Sequence, residues 1–229
     1  DIWYNNLAHK IRGAKLPAGS WASGGALGTG RYASMGAGLG TAGLIFGGSP
    51  NPGVDITESY DGSSWTEVGD LNQARNQGAG AGSQTAALCI AGAWVPNGPT
   101  AIVESFNGTA WTEVGDLTNP RRQMTGCGTT TAALATQGGP PGPGTNYNES
   151  FDGSSWTELA DANTPRHKAM CAAKGTPSAA LIFGGMPAPA GTVNTETWDG
   201  SSWTEVANLN AARSAGGGAG IQTAALCIA

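Results

Sequence analysis

Charge is scarce in this chain of 229 residues: only 12% are Asp, Glu, Lys or Arg, and 11 basic residues face 16 acidic ones, for a formal net charge of −5. So few cations on an acidic chain do not make a phosphate-tracking surface, which removes nucleic acid from the expected partners. Long hydrophobic runs are also missing. No stretch of about 18 or more apolar residues occurs, so no membrane insertion is expected, and residues 1–20 hold no continuous segment of the signal-peptide kind.

Cysteine and histidine are sparse as well. The four cysteines show no Cys-x-x-Cys spacing, and Cys89 and Cys227 stand where Ile45 and Ala135 stand in other parts of the chain, as small buried apolar residues. Cys127 and Cys171 show no placement for a bridge. His9 and His167 have no second ligand at metal-binding spacing, so no metal is expected. The glycine-rich "GAGAG" and "GLGTAG" lack a Walker lysine and open no helix, which excludes a nucleotide loop; no cofactor is expected.

What is present is repetition. Trp21, Trp65, Trp111, Trp156 and Trp203 are spaced 44 to 47 residues apart, and the last four sit in "ESYDGSSWTEV", "ESFNGTAWTEV", "ESFDGSSWTEL" and "ETWDGSSWTEV". An Arg follows ten residues after each: Arg31, Arg75, Arg121, Arg166 and Arg213. Periods of roughly 40–50 residues made of short strands mark propeller blades, because one four-stranded unit cannot bury both faces alone. Five such periods fill the chain.

Each period divides into four strands. The first is small and glycine-rich ("SMGAGLGT", "QGAGAGS"), suited to inner strands that converge on a narrow channel. The second is apolar ("TAGLIF", "TAALCI") and runs in three blades into a glycine pair, Gly47–Gly48, Gly138–Gly139 and Gly184–Gly185. The third carries a Glu and then an aromatic (Tyr60, Phe106, Phe151, Trp198), and an Asp-Gly or Asn-Gly turn of type I′ leads to the Trp strand. The expected fold is all-β: a single five-bladed β-propeller of four-stranded blades at about 32–68, 76–114, 122–159 and 167–206, with a fifth made of 213–229 plus 1–25. The N- and C-terminal strands then share one blade and close the ring, with "DIWYNN" and "HKIRGAKL" competing for its third strand.

A glycine pair after an apolar strand, an aromatic twelve or thirteen residues later and a Trp five beyond that resembles the kelch repeat. The matching residues are Gly47, Gly48, Tyr60 and Trp65 in the first blade and Gly184, Gly185, Trp198 and Trp203 in the fourth; the second departs, with Ala91–Gly92 in place of the pair. Kelch membership implies a β-propeller.

The charges follow the repeat. All eight glutamates occupy two repeat positions, Glu58, Glu104, Glu149 and Glu196 before the Trp and Glu67, Glu113, Glu158 and Glu205 after it. Fourfold copying gives each carboxylate nearly the same surroundings, whereas acid–base catalysis needs groups whose environments differ. The first set is expected to pair with the recurring Arg, between adjacent blades or across one blade. Asp61, Asp152 and Asp199 belong to the hairpin turns, and Asp70, Asp116 and Asp161 to the ends of blades. Asn107 and Asn148 match the glycosylation acceptor pattern at a frequency chance explains.

Variation concentrates in the connection from second to third strand: "GGSPNPGVDI", "GAWVPNGPTA", "GGPPGPGTNY" and "GGMPAPAGTV". These loops should emerge on one face, beside the connections between blades, and loops on a rigid scaffold carry recognition. Pro50, Asn51, Trp94, Pro96, Pro141, Tyr147, Met186 and Pro187 are the candidate recognition residues. The text "DIWYNN", "GSWASGG" and the "SFDGSSWTEV" repeats also resembles segments of phage tail-fibre and marine viral structural proteins, which implies particle decoration or host recognition. The expectation is a non-enzymatic structural or adhesive propeller, virion-borne or extracellular and multimeric in its assembly. Its partners would be other structural subunits or a host-surface receptor or glycan. The alternatives are a glycan-binding propeller using the repeated Trp, and a kelch adaptor for a partner protein.

Overall fold

The computed structural model describes residues 2–5, 10–13, 24–50, 53–94, 97–139, 144–172, 174–187 and 190–228, and every regular element in them is a β-strand. Four antiparallel sheets of four strands follow one another along the chain. The first contains β3 (Met35–Leu39), β4 (Ala42–Phe46), β5 (Thr57–Tyr60) and β6 (Trp65–Val68); the second, β7 (Ala79–Gly82), β8 (Ala87–Trp94), β9 (Gly98–Phe106) and β10 (Trp111–Val114). The third contains β11 (Thr125–Thr129), β12 (Ala132–Thr136), β13 (Asn148–Phe151) and β14 (Trp156–Glu158). The fourth contains β15 (Met170–Cys171), β16 (Ala180–Phe183), β17 (Thr195–Trp198) and β18 (Trp203–Val206). Two hairpins flank them, β1 (Ile2–Asn5) with β2 (Lys10–Gly13) and β19 (Gly217–Ile221) with β20 (Ala224–Ile228). The arrangement is propeller-like.

The inner strands sit side by side, β3 on β7, β7 on β11, β11 on β15 and β15 on β19. Their glycines set that spacing: a Cβ on Gly80 would run into the Gly36 carbonyl, and one on Gly218 into the Cys171 carbonyl. Between blades lie three cores. Met35, Leu44 and Phe46 of the first blade meet Cys89, Phe106 and Trp111 of the second. Leu88 and Ile90 then meet Phe151 and Trp156, and Cys127 and Leu134 meet Ile182, Trp198 and Trp203. Trp111, Trp156 and Trp203 therefore pack on the preceding blade, and alternation along the second strand supplies one face to each neighbour. Within each blade the Trp also stacks on the aromatic it pairs with across the hairpin, with ring centroids 4.9 to 5.3 Å apart.

Four features differ from the sequence expectation. The hairpin turns are not type I′: only the Gly has positive φ (Gly62 98°, Gly108 95°, Gly153 100°, Gly200 97°). The preceding Asp instead accepts hydrogen bonds from the next two serines, as Asp61 does from the amides of Ser63 and Ser64, both 2.8 Å. The positive-φ pair in the third blade is Gln137–Gly138, not Gly138–Gly139, and Ala91–Gly92 adopts the same conformation in the second. The second blade's connection is largely strand, since β8 and β9 stay paired out to Trp94 and Gly98 around a bulge at Ala91. Finally, β1 and β2 pair with each other and form a sheet separate from β19–β20.

Candidate functional site

The Glu and Arg of the repeat meet inside a single blade. Arg31, Arg75, Arg121 and Arg166 pair with Glu58, Glu104, Glu149 and Glu196, the Arg31 and Arg166 contacts being 3.0 and 2.8 Å. All eight side chains are closed to solvent. The second carboxylate oxygen accepts the amide three residues before the Arg, from Gly28, Asn72, Thr118 and Asn163 at 2.7 to 2.8 Å. Each pair thus pins the connection from the previous blade to the third strand of its own. Arg213 stands at the fifth such position; its carbonyl accepts the Gly185 amide at 2.8 Å.

The same connection stitches neighbouring blades. Gly48, Gly92, Gly138 and Gly185 donate their amides to the carbonyls of Arg75, Arg121, Arg166 and Arg213 at 2.8 to 3.1 Å. Two residues beyond each Arg, Ala33, Gln77, Gln123, Lys168 and Ala215 all hold φ between 52° and 59°. Gln77 donates its amide to Ala33, Gln123 to Gln77, Lys168 to Gln123 and Ala215 to Lys168, over 2.6 to 3.0 Å. A belt of backbone hydrogen bonds therefore runs from blade to blade at one end of the inner strands. No sequence rule marked this position, because positive φ outside glycine leaves no residue signature in Ala, Gln and Lys.

The variable loops rise from the same end. The carbonyl of the second residue of the positive-φ pair closes three of them: Gly48 accepts Val54, Gly138 accepts Thr145 and Gly185 accepts Thr192. Of the candidate recognition residues, Trp94 is 40% exposed at the end of β8 and Pro50 is exposed. Tyr147, Met186 and Pro187 are half-buried: the Tyr147 carbonyl accepts the Gln137 amide at 2.7 Å, and Met186 bridges His167. Asn51, Pro96 and Pro141, like Trp21 of the repeat, lie outside the described residues. Trp111, Trp156 and Trp203 are buried, while Trp65 is half-buried beside a cavity of about 1200 Å³ that runs from the inner strands over Tyr60 and Gly43. Of the two glycosylation acceptors, Asn148 is fully buried in β13 and Asn107 is exposed.

Few groups are electrostatically poised. Hydrogen bonds from Ser155 and Ser154 hold the Asp152 carboxyl down to about 2, and those from Ser202 and Ser201 do the same for Asp199. Burial pushes the Cys89 thiol up to about 11. A hydrogen bond that the Cys171 thiol makes to Cys127, then burial, raises Cys171; the two free thiols are in contact across the third and fourth blades, a neighbourhood their sequence positions concealed. Burial, then the charges of Lys168 and Arg122, lowers His167. Among the described residues no three His, Cys, Asp or Glu side chains converge as metal ligands, and no helix is long and apolar enough to cross a membrane. No protein-family model matches the chain, and no curated protein matches it.

Proposed function

We propose that the chain is a closed, five-bladed kelch-like propeller acting as a non-enzymatic structural or adhesive module of a virion surface, fibre or filament, with the variable-loop face turned to its partner. The observation that carries this reading is the division of labour among residues. Four glutamates and their four arginines are locked in copies of one ion pair, and what varies between copies is presented from one end of the blades. A rigid rim with interchangeable loops is suited to recognition.

Closure has two supports. The "QTAALCIA" of β8 recurs around β20, and the glutamine behaves alike in both: Gln84 donates to the Tyr60 carbonyl at 2.5 Å and Gln222 to the Trp198 carbonyl at 2.6 Å. The last hairpin thus docks on the fourth blade as the second blade docks on the first. On the other side, Gly25 abuts the Ser63 carbonyl of the first blade as Gly69 and Gly115 abut Thr109 and Ser154, each four residues after its Trp. On β20, Leu226 and Ile228 are 56% and 43% exposed, a face that a closing strand would bury.

Density-gradient fractionation of the native source with intact-mass detection tests the assembly reading. Co-migration of the chain with a particle or filament at fixed stoichiometry is the expected result, and a free monomer sinks it. The glycan-binding alternative loses its simplest platform, since the three buried tryptophans present no face to a sugar ring; Trp94 and Tyr32, 67% exposed, are aromatic surfaces at the loop mouth that would have to serve.

A further inference from the structure

From residue 24 onward the chain holds eight Lys and Arg side chains, five of them at the repeat position. Of the other three, Arg122 and Lys168 lie at the belt's end of the inner strands, and Lys174 is at the opposite one, where its amide donates to Gly220. The third blade contributes Arg122 and Gln123, and the fourth His167 and Lys168, at positions that hold Tyr32–Ala33, Asn76–Gln77 and Ser214–Ala215 elsewhere. The belt fixes their relative placement: the Lys168 amide donates to the Gln123 carbonyl at 2.7 Å, and Gln123 Nε2 donates to Gln77 Oε1 at 3.1 Å. Backbone bridges from Arg122 to Gly139 and from His167 to Met186 anchor the two cationic segments to the loop bases.

Neither Arg122 nor Lys168 forms an ion pair among the described residues, although the chain as a whole is acidic. His167 Nδ1 is buried without a hydrogen-bond partner. Beside burial, the charges that lower that imidazole's pKa are those of Lys168 and Arg122. Two cations without an ion pair among the described residues, set beside an imidazole and held on a belt of backbone hydrogen bonds, have the donor chemistry of an anion site, the guanidinium of Arg122 and the ammonium of Lys168 donating.

We propose that the loop-side mouth at Arg122, His167 and Lys168 binds a small oxyanion, a carboxylate or sulfate group of the kind borne by acidic sugars. The site departs from the repeat where recognition needs asymmetry: only two of the five equivalent segments carry it. It goes beyond the assembly reading and stands whether or not the propeller rides on a particle.

The test is an NMR titration of the full chain at low, matched ionic strength, following the His167 imidazole signals with D-glucuronate, inorganic sulfate and neutral D-glucose. The double variant Arg122→Asn with Lys168→Gln takes each side chain to the one another blade uses at that place, so the belt and its positive φ are kept. Saturable shifts with glucuronate or sulfate, none with glucose, and affinity weakened roughly tenfold or more in the double variant are expected. Tighter binding of glucuronate assigns the site to a sugar carboxylate, and equal or tighter binding of sulfate to a sulfate group. Absence of a saturable shift with either anion overturns the proposal, as does an unchanged affinity in a double variant that melts like the parent.

Discussion

Arg75 and Glu104 face each other inside the second blade with both side chains shut off from solvent, and Glu104 also accepts the Asn72 amide and side chain. Removing one partner leaves a buried charge without its counter-ion. Arg75→Ala is therefore expected to destabilise the fold by about 3–5 kcal/mol. Chemical denaturation measures it, and a loss below about 0.5 kcal/mol, the range of an ordinary surface substitution, would contradict a buried pair. Replacing both residues with Met and Leu should cost less than Arg75→Ala alone, because the double change removes both charges.

Gly80 and Gly40 make a matched pair of alanine substitutions. At Gly80 a methyl group meets the backbone of Gly36 on the neighbouring inner strand, and neither strand can withdraw without parting the two blades; at Gly40 nothing lies within 4 Å. Gly80→Ala should cost about 1–3 kcal/mol or more, and Gly40→Ala should lie within about 0.5 kcal/mol of the parent. Equal melting temperatures for the two variants would mean that the inner strands are not packed as closely as described.

The strands, their order within a blade and the pairing of Glu with Arg were legible because a period of 44 to 47 residues repeats the same types at the same places. Registers set by local backbone chemistry were not. Gly138–Gly139 looked like the glycine pair of the third blade, yet the positive-φ positions are Gln137 and Gly138, because the strand end is fixed by the hydrogen bond from Gly138 to Arg166 and not by composition. His167 looked isolated because one of its two cationic companions comes from another blade: Arg122 lies 45 residues earlier and is brought near through the inter-blade belt. Cys127 and Cys171 were hidden for the same reason.

The turn aspartates give a pH signature. Asp152 and Asp199 are held near 2 against an ordinary 3.8, so the unfolded chain binds protons that the folded one does not as pH falls through that interval. Their stabilising contribution is complete above about pH 4 and disappears toward pH 2. Asn107 fills the same turn in the second blade and accepts the same amides, from Thr109 and Ala110. Asp61→Asn, Asp152→Asn and Asp199→Asn combined should keep the turns and flatten the fall in stability between about pH 4 and pH 2. A triple variant with the parent's acid slope would place the responsible carboxylates elsewhere.

Ring closure can be read from two identical segments. Residues 85–91 and 223–229 both spell TAALCIA, so their intrinsic amide exchange rates match within the shared sequence. Leu88 and Ile90 are fully buried between the second and third blades, whereas Leu226 and Ile228 are exposed and would be covered if the N-terminal residues completed a ring. Protection reports how costly local opening is. In a closed ring both segments exchange slowly by hydrogen-exchange mass spectrometry, and deletion of residues 1–23 accelerates 225–228 while leaving 87–90 protected. Fast exchange of 225–228 in the intact chain, unaltered by the deletion, would show that the fifth blade is not completed by the N-terminal residues, since a strand covered on its open edge and its Leu226 face cannot exchange as an uncovered one does.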